Sequence, residues 1–501
     1  MLFSSMIFLW VFLPAVIIVN AFFSILPFKN ERMRIAWKNF FLLIASLIFY
    51  AWGGIYYLLI MISSICLNYA GGYLIKKAAK TKAGKRAWLA LIVILNLAIL
   101  FFFKYFNMLI AIIESLMIPG AGFAEIWNTM ISMEGTGALG LAKIVLPIGI
   151  SFFTFQAMSY VMDVYMGKAE LQENIFDFAL YVSLFPQLIA GPIVQYADID
   201  LQLRQRKETL DMFVSGIKRF CYGLGKKVLI SNVLAEIADG IWALHATEEL
   251  GAFAAWVGIL SYTLQIYYDF SGYSDMAIGL GRMLGFNFKE NFDYPYTSLS
   301  VAEFWRRWHI SLGSWFREYI YIPLGGNRHG LFRTCLNIFV VYCVTGIWHG
   351  ANFTFIAWGL FYAVLQIIEK LFLGKLLQKN PYKIINWLYT MAAVMLGWIY
   401  FRSNTIFEAN NYVCQLFNFS HFNYKVFGYL SITAFAVIIF GILFSGFVQR
   451  PLKKLFEKIH SIPGISYPVL VVDYAIQFAI VLLSSAKLIG GTYNAFIYFQ
   501  F

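Results

Sequence analysis

The chain has 501 residues, of which 60% are apolar and only 13% charged. A soluble globular domain carries about 25% charged residues, so an ordinary soluble fold is excluded. The net charge of +12 does not indicate nucleic acid: Lys and Arg gather in the cytoplasmic loops of membrane proteins, and no nucleic-acid motif accompanies them.

Apolar runs near 20 residues recur from end to end, each able to cross about 30 Å of hydrocarbon. The expected fold is an all-α polytopic membrane protein forming one membrane domain over 1–501. Run length gives roughly 11–13 transmembrane helices with added reentrant pieces. The first stretch, MLFSSMIFLWVFLPAVIIVNAFFSILP, has no Lys or Arg before Lys29 and no small-residue cleavage site, so it reads as a retained helix rather than a signal peptide. Lys29, Arg32, Arg34 and Lys38 follow it. A helical pair over 39–52 and 55–75 turns at Trp52-Gly53-Gly54, and KKAAKTKAGKR runs from Lys76 to Arg86. With both basic stretches cytoplasmic, the N-terminus and the Trp-Gly-Gly turn lie outside. A helix over about 87–112 leads to 113–142, which has three glutamates and no Lys or Arg and reads as an external loop.

Further apolar runs lie near 143–166, 177–196, 212–243, 252–285, 335–349, 351–373, 384–402, 427–448 and 467–489. The run 177–196 contains Phe185-Pro186-Gln187 and Gly191-Pro192, and Arg204, Arg206 and Lys207 follow it. It is expected to be reentrant and enclosed by protein, because broken backbone is not tolerated against lipid. The five cysteines, Cys66, Cys221, Cys335, Cys343 and Cys414, are odd in number and lack CxxC spacing, so neither a disulfide framework nor a metal site is expected.

Chemistry has few places to reside. Of six histidines, His245, His421 and His460 fall near loops or interfaces. His349 lies in VVYCVTGIWHGANFTFIAWGLF, where the other ionisable side chains are only Tyr and Cys. An imidazole there marks a functional site by default; the plainer reading is a hydrogen bond to a neighbouring helix. Gly346 and Gly350 beside it would permit close helix contact or close approach of a ligand. His309 lies in FWRRWHISLGSWFREYIYIPLGGNR. A continuous helix would set Trp305, Arg306 and Gly313 on its side and turn Trp308 and Trp315 elsewhere. The alternative is an amphipathic interfacial helix with an aromatic belt. Asp269 and Asp275, in or beside an apolar run, are suited to orienting an imidazole or holding a polar chain. Gly279, Gly281 and Gly285 form GxGxxxG without a βαβ unit, so a dinucleotide site is not expected, and neither a P-loop nor a GxSxG elbow is present. Buried histidines without an evident Ser or Cys nucleophile permit acyl transfer: an imidazole removes a hydroxyl proton as the oxygen attacks an activated acyl carbon. That chemistry needs only a base, positioning and donors for the oxyanion, and these residues do not single it out.

Five stretches carry a resemblance to the membrane-bound O-acyltransferase family. They are LPIGISFFTFQAMSYVMDVY (146–165), SLFPQLIAGPIVQY (183–196), DFSGYSDMAIGLGRMLGFNFKENFDYPY (269–296), FWRRWHISLGSWFREYIYIPLGGNR (304–328) and GIWHGANFTFIAWG (346–359). The resemblance runs from about residue 5 to the terminal FIYFQF and is strongest to the bacterial alginate O-acetylation branch, with lipoteichoic-acid D-alanylation as a cousin. It implies a ring of helices with a funnel from each side meeting near the central histidine. It implies His349 as general base or direct acyl-transfer residue, and His309 as the group that positions or polarises donor or acceptor. Asp269, Trp305, Arg306, Arg307 and Asn352 are then expected around these histidines or along the substrate channel. Arg306, Arg307, Lys226 or Lys227 would suit the phosphates of the donor. The implied donor is acetyl-CoA, with no permanently bound cofactor and no metal. The implied setting is the lipid of a bacterial cytoplasmic (inner) membrane, with an extracytoplasmic SGNH-type acyltransferase as partner. D-alanyl transfer from a carrier-protein thioester to teichoic acid, a transporter without chemistry and a scaffold for a separate acyltransferase are the competing readings.

Overall fold

A computed structural model describes residues 1–117, 144–449, 451–452, 455 and 466–491. Most of the acidic segment 113–142, His460 and the terminal FIYFQF lie outside the described residues. Within them the chain is helical and forms no strand. Nine described helices are long and apolar enough to cross a membrane: Phe8–Ile25, Glu31–Ala51, Ile55–Ala78, Lys82–Leu116, Leu210–His245, Gly330–His349, Phe353–Lys379, Lys383–Arg402 and Tyr467–Gly490. The chain is a multi-pass integral membrane protein. The difference from a count by run length has a physical source. Ile150–Met166 and Ile432–Phe447 are short. Gly251–Met283 is long, but its run of Ser, Thr, Gln and Asp side chains suits protein rather than lipid.

That 33-residue helix is buried on nearly every face and forms the axis of the fold. Outward-facing Ile18, Phe22, Ile94, Phe101 and Phe478 lie instead on helices with little buried surface, as lipid contact requires. The axis packs against Leu210–His245 through paired glycines. A Cβ on Gly216 would sit 2.6 Å from the Gly279 carbonyl oxygen, and one on Gly223 2.6 Å from that of Gly272. The glycines of the GxGxxxG stretch thus include a backbone contact rather than a nucleotide loop. Without a hydrophobic drive between helices in lipid, such close approach supplies the packing energy. Lys227 and Asp269 pair at 2.5 Å across the same two helices, each side chain only 1% exposed.

The run 177–196 does not cross. It folds into Ile175–Ser183 and Phe185–Leu188, and residues 184–196 are buried throughout. Its return brings the Leu188 carbonyl to where a Cβ on Gly149 would sit, 2.9 Å away, and Gly149 holds φ +75°.

The stretch around His309 departs from the continuous helix expected of it. Val301–Arg307 and Ile310–Phe316 are separate helices, and His309 between them is left-handed at φ 47°, ψ 52°. The break is held by the preceding loop: Ile310 N–H donates to the Asn291 carbonyl at 3.0 Å, and Asp293 N–H to the Arg307 carbonyl at 2.9 Å. Trp308 and Trp315 are buried, not in an interfacial belt. Trp315 stacks on Phe155 at 3.8 Å and donates its indole N–H to the Phe155 carbonyl.

Gly223→Val should force Leu210–His245 off the axis and cost about 1–3 kcal/mol, read as a lower thermal midpoint in detergent. Gly428→Ala, where a Cβ meets nothing within 4 Å, should stay within about 0.5 kcal/mol of wild type.

Candidate active site

His349 is the last residue of Gly330–His349. Gly350 is extended, and Asn352 starts the next helix, accepting the Thr354 N–H at 3.1 Å and donating to the Asn404 carbonyl at 2.6 Å. The two helices cross at Gly346 and Gly359, where a Cβ on Gly346 would lie 2.5 Å from the Phe355 carbonyl oxygen. The imidazole stands edge-on to Trp348, Trp358 and Phe401 at 5.0, 5.0 and 5.1 Å. No protein group among the described residues hydrogen-bonds to it, so the helix–helix hydrogen bond that would make it purely structural is not formed. It borders a cavity of about 30 Å³, which Lys104, the 146–152 stretch, Ile189 and Trp348 also line. A space of that size admits a water or a very small group.

His309 is held more tightly. Its Nδ1 lies 3.2 Å from Asn291 Oδ1, which also receives the Ser311 N–H at 3.1 Å and the Ser311 hydroxyl at 2.9 Å. A backbone N–H can only donate, so the Asn291 atom facing it is the oxygen. His309 must then donate from Nδ1, which leaves the lone pair of the neutral ring on Nε2. Nε2 is buried and meets no hydrogen-bonding group among the described residues. Ser311 is itself fixed by the reentrant segment, accepting the Ile193 N–H at 2.9 Å. The arrangement presents a proton acceptor of fixed tautomer.

Trp348 joins the two histidines. Its ring lies 5.0 Å from His349 and 6.3 Å from His309. Its carbonyl accepts from Lys104 Nζ, which also reaches the Ser151 hydroxyl at 3.3 Å. Trp305 stands one layer behind, edge-on to Trp358 at 5.4 Å and Tyr362 at 4.9 Å. The indole N–H groups of Trp305, Trp348 and Trp358 are buried without partners, so oxygen atoms of a substrate would be welcome here.

The other expected residues sit apart. Asp269 pairs with Lys227, while its neighbour Phe270 touches the His309 ring at 4.6 Å. Lys226 and Arg219 both bind Asp275. Arg307 pairs with Glu303 at 2.5 Å. Arg306 is exposed and lines a second cavity of about 500 Å³ with Glu303, Glu369, Lys370 and Lys383. Lys104, Asn291 and Ser311 belong to the site although nothing in the sequence reading assigned them. For Lys104 a signal existed: a lone cation inside LFFFKYF is an intramembrane charge. For Asn291 and Ser311 none did, since their roles depend on a backbone break. Among the described residues no His, Cys, Asp and Glu cluster could hold a metal ion.

The model of MBOAT, membrane-bound O-acyltransferase family, matches residues 172–407, a span that holds both histidines. A probable alginate O-acetylase AlgI of Pseudomonas putida is 38% identical over the full length of both chains. The chain belongs to the membrane-bound O-acyltransferase family. A second relative, the peptidoglycan O-acetyltransferase of Helicobacter pylori, is 33% identical over 82% of this chain and 78% of its own. The teichoic acid D-alanyltransferase of Bacillus subtilis is 26% identical over 45% of this chain and 59% of its own. In this O-acyltransferase Lys104 lies outside the matched span, although it meets Trp348 inside it.

Asn291→Leu should remove the acceptor that fixes the His309 tautomer and lower kcat on the order of 10²-fold. Asn291→Asp keeps that acceptor and adds a negative charge that stabilises the imidazolium. The His309 pKa rises, so the acid limb of the pH–rate profile should move to higher pH while activity above it is retained.

Proposed function

We propose that this membrane-bound O-acyltransferase transfers acetyl groups from cytoplasmic acetyl-CoA toward an extracytoplasmic polysaccharide, in the inner membrane of a bacterium. The observation that carries the reading is the buried His349 imidazole, without a hydrogen-bond partner among the described residues, beside a small cavity. The full-length match to alginate O-acetylases and the substantial match to a peptidoglycan O-acetyltransferase support acetyl as the group moved.

His349 acts as general base. It removes the acceptor hydroxyl proton as that oxygen attacks the thioester carbon, and returns the proton to the departing sulfur, leaving an acetyl ester and free CoA. His309, with its lone pair fixed on Nε2, orients the hydroxyl. Lys370, Lys375, Lys379 and Lys383 give the second cavity's end of the helices a basic character, the mark of the cytoplasmic side. Arg306, Lys370 and Lys383 there suit the phosphates of CoA. The immediate acceptor is a hydroxyl of an SGNH-type acyltransferase outside the membrane, which completes the transfer to sugar.

The test is CoA release from acetyl-CoA by purified protein in nanodiscs, with the SGNH-type acyltransferase added as acceptor. Wild type should release CoA above background, and His349→Ala should lower the rate by about 10²-fold or more while eluting as a folded particle. Release only from a D-alanyl carrier thioester would move the assignment to D-alanyl transfer. Turnover unchanged in His349→Ala would remove that residue from the chemistry.

A further inference from the structure

The cavity beside His349 is also lined by a lysine, Lys104. Lys104 lies midway along the apolar helix Lys82–Leu116 and is 8% exposed. No carboxylate among the described residues pairs with it. Two of its three N–H groups are used, on the Trp348 carbonyl and the Ser151 hydroxyl. The third has no hydrogen-bond acceptor among the described residues, although the Trp348 ring lies 5.6 Å from Nζ, and Lys104 lines the cavity. A buried cation without a counter-charge is costly unless something negative arrives.

Beside Lys104 lies the start of Ile150–Met166, where Gly149, Ile150 and Ser151 also line the cavity. The Ser151 N–H makes no hydrogen bond within the described protein, and the partial positive charge of a helix start adds to that of Lys104. His349, only 6% exposed and without a hydrogen-bond partner among the described residues, lines the same cavity.

We propose that this cavity is the acyl pocket of the reaction, in which Lys104 Nζ and the Ser151 N–H bind the carbonyl oxygen of the donor thioester and carry its charge in the tetrahedral intermediate. The inference rests on the acetyl-transfer reading above. When the acceptor oxygen bonds to the carbonyl carbon, the π pair moves onto the oxygen held by Lys104. His349 takes the hydroxyl proton. The pair then returns, the C–S bond breaks, and the proton passes from His349 to the sulfur. Lys104 donates to that carbonyl oxygen and is a catalytic residue by contact with it. Pro147, Phe152 and Ile189 close the far side and limit the acyl group to about two carbons.

The experiment compares steady-state turnover of acetyl-CoA and propionyl-CoA by wild type, Lys104→Met, Ser151→Ala and Ile189→Ala in nanodiscs. Wild type that releases no CoA with the acceptor acyltransferase present overturns the acetyl-transfer reading and this pocket with it. With wild-type turnover in hand, Lys104→Met should lose on the order of 10²–10³-fold in kcat with little change in KM. Ser151→Ala, which removes one anchor of the ammonium, should lose roughly tenfold. Ile189→Ala should raise the propionyl-to-acetyl ratio several-fold. A folded Lys104→Met with kcat within twofold of wild type overturns the pocket and leaves acetyl transfer standing. If Lys104→Met does not fold, wild-type rates in Ser151→Ala together with an unchanged ratio in Ile189→Ala overturn it equally.

Discussion

Within hydrocarbon a polar group must find its partner inside the protein, and the whole arrangement follows from that requirement. The backbone can break at His309 because Asn291 and Asp293 receive and return the hydrogen bonds that a helix would have made. Remove that pairing, and the break would expose unsatisfied amide groups at a cost of several kcal/mol each. The same requirement draws Lys227 to Asp269 and Arg402 to Asp239. Against this background His309 Nε2 is one of the buried groups without a hydrogen-bond partner among the described residues.

Fold class was legible in the sequence because composition and run length act on every residue at once. The broken character of 177–196 was equally legible, since Pro186, Gly191 and Pro192 crowd helix-breaking residues into one short run. What could not be read was tertiary pairing. The stretch FWRRWHISLGSWF has no Pro or Gly at its break and carries an intact helical pattern, yet contact with residues 291–293 overrides it. The helix count shifted for a related reason: run length cannot separate a lipid-facing helix from one that is surrounded by protein, as Gly251–Met283 is.

The site was half legible. His349 and His309 meet at Trp348, and Trp305 supports them through Trp358. Arg307 and Asp269 are committed to ion pairs, and Asn352 to a helix cap, so their polarity serves architecture at least in part. Residue type alone does not separate a charge that works on a substrate from one that works on the fold. The separation comes from whether a partner is already present.

The bond from Lys104 to the Trp348 carbonyl joins positions 244 residues apart in the chain. It ties a helix outside the 172–407 family match to the residue beside the central histidine. A fragment cut to the matched span would therefore keep both imidazoles and lose Lys104 and the 146–152 stretch from the cavity beside His349. For anyone seeking to transplant the proposed site, or to divide the chain between two genes, the unit to carry extends well upstream of its most recognisable part.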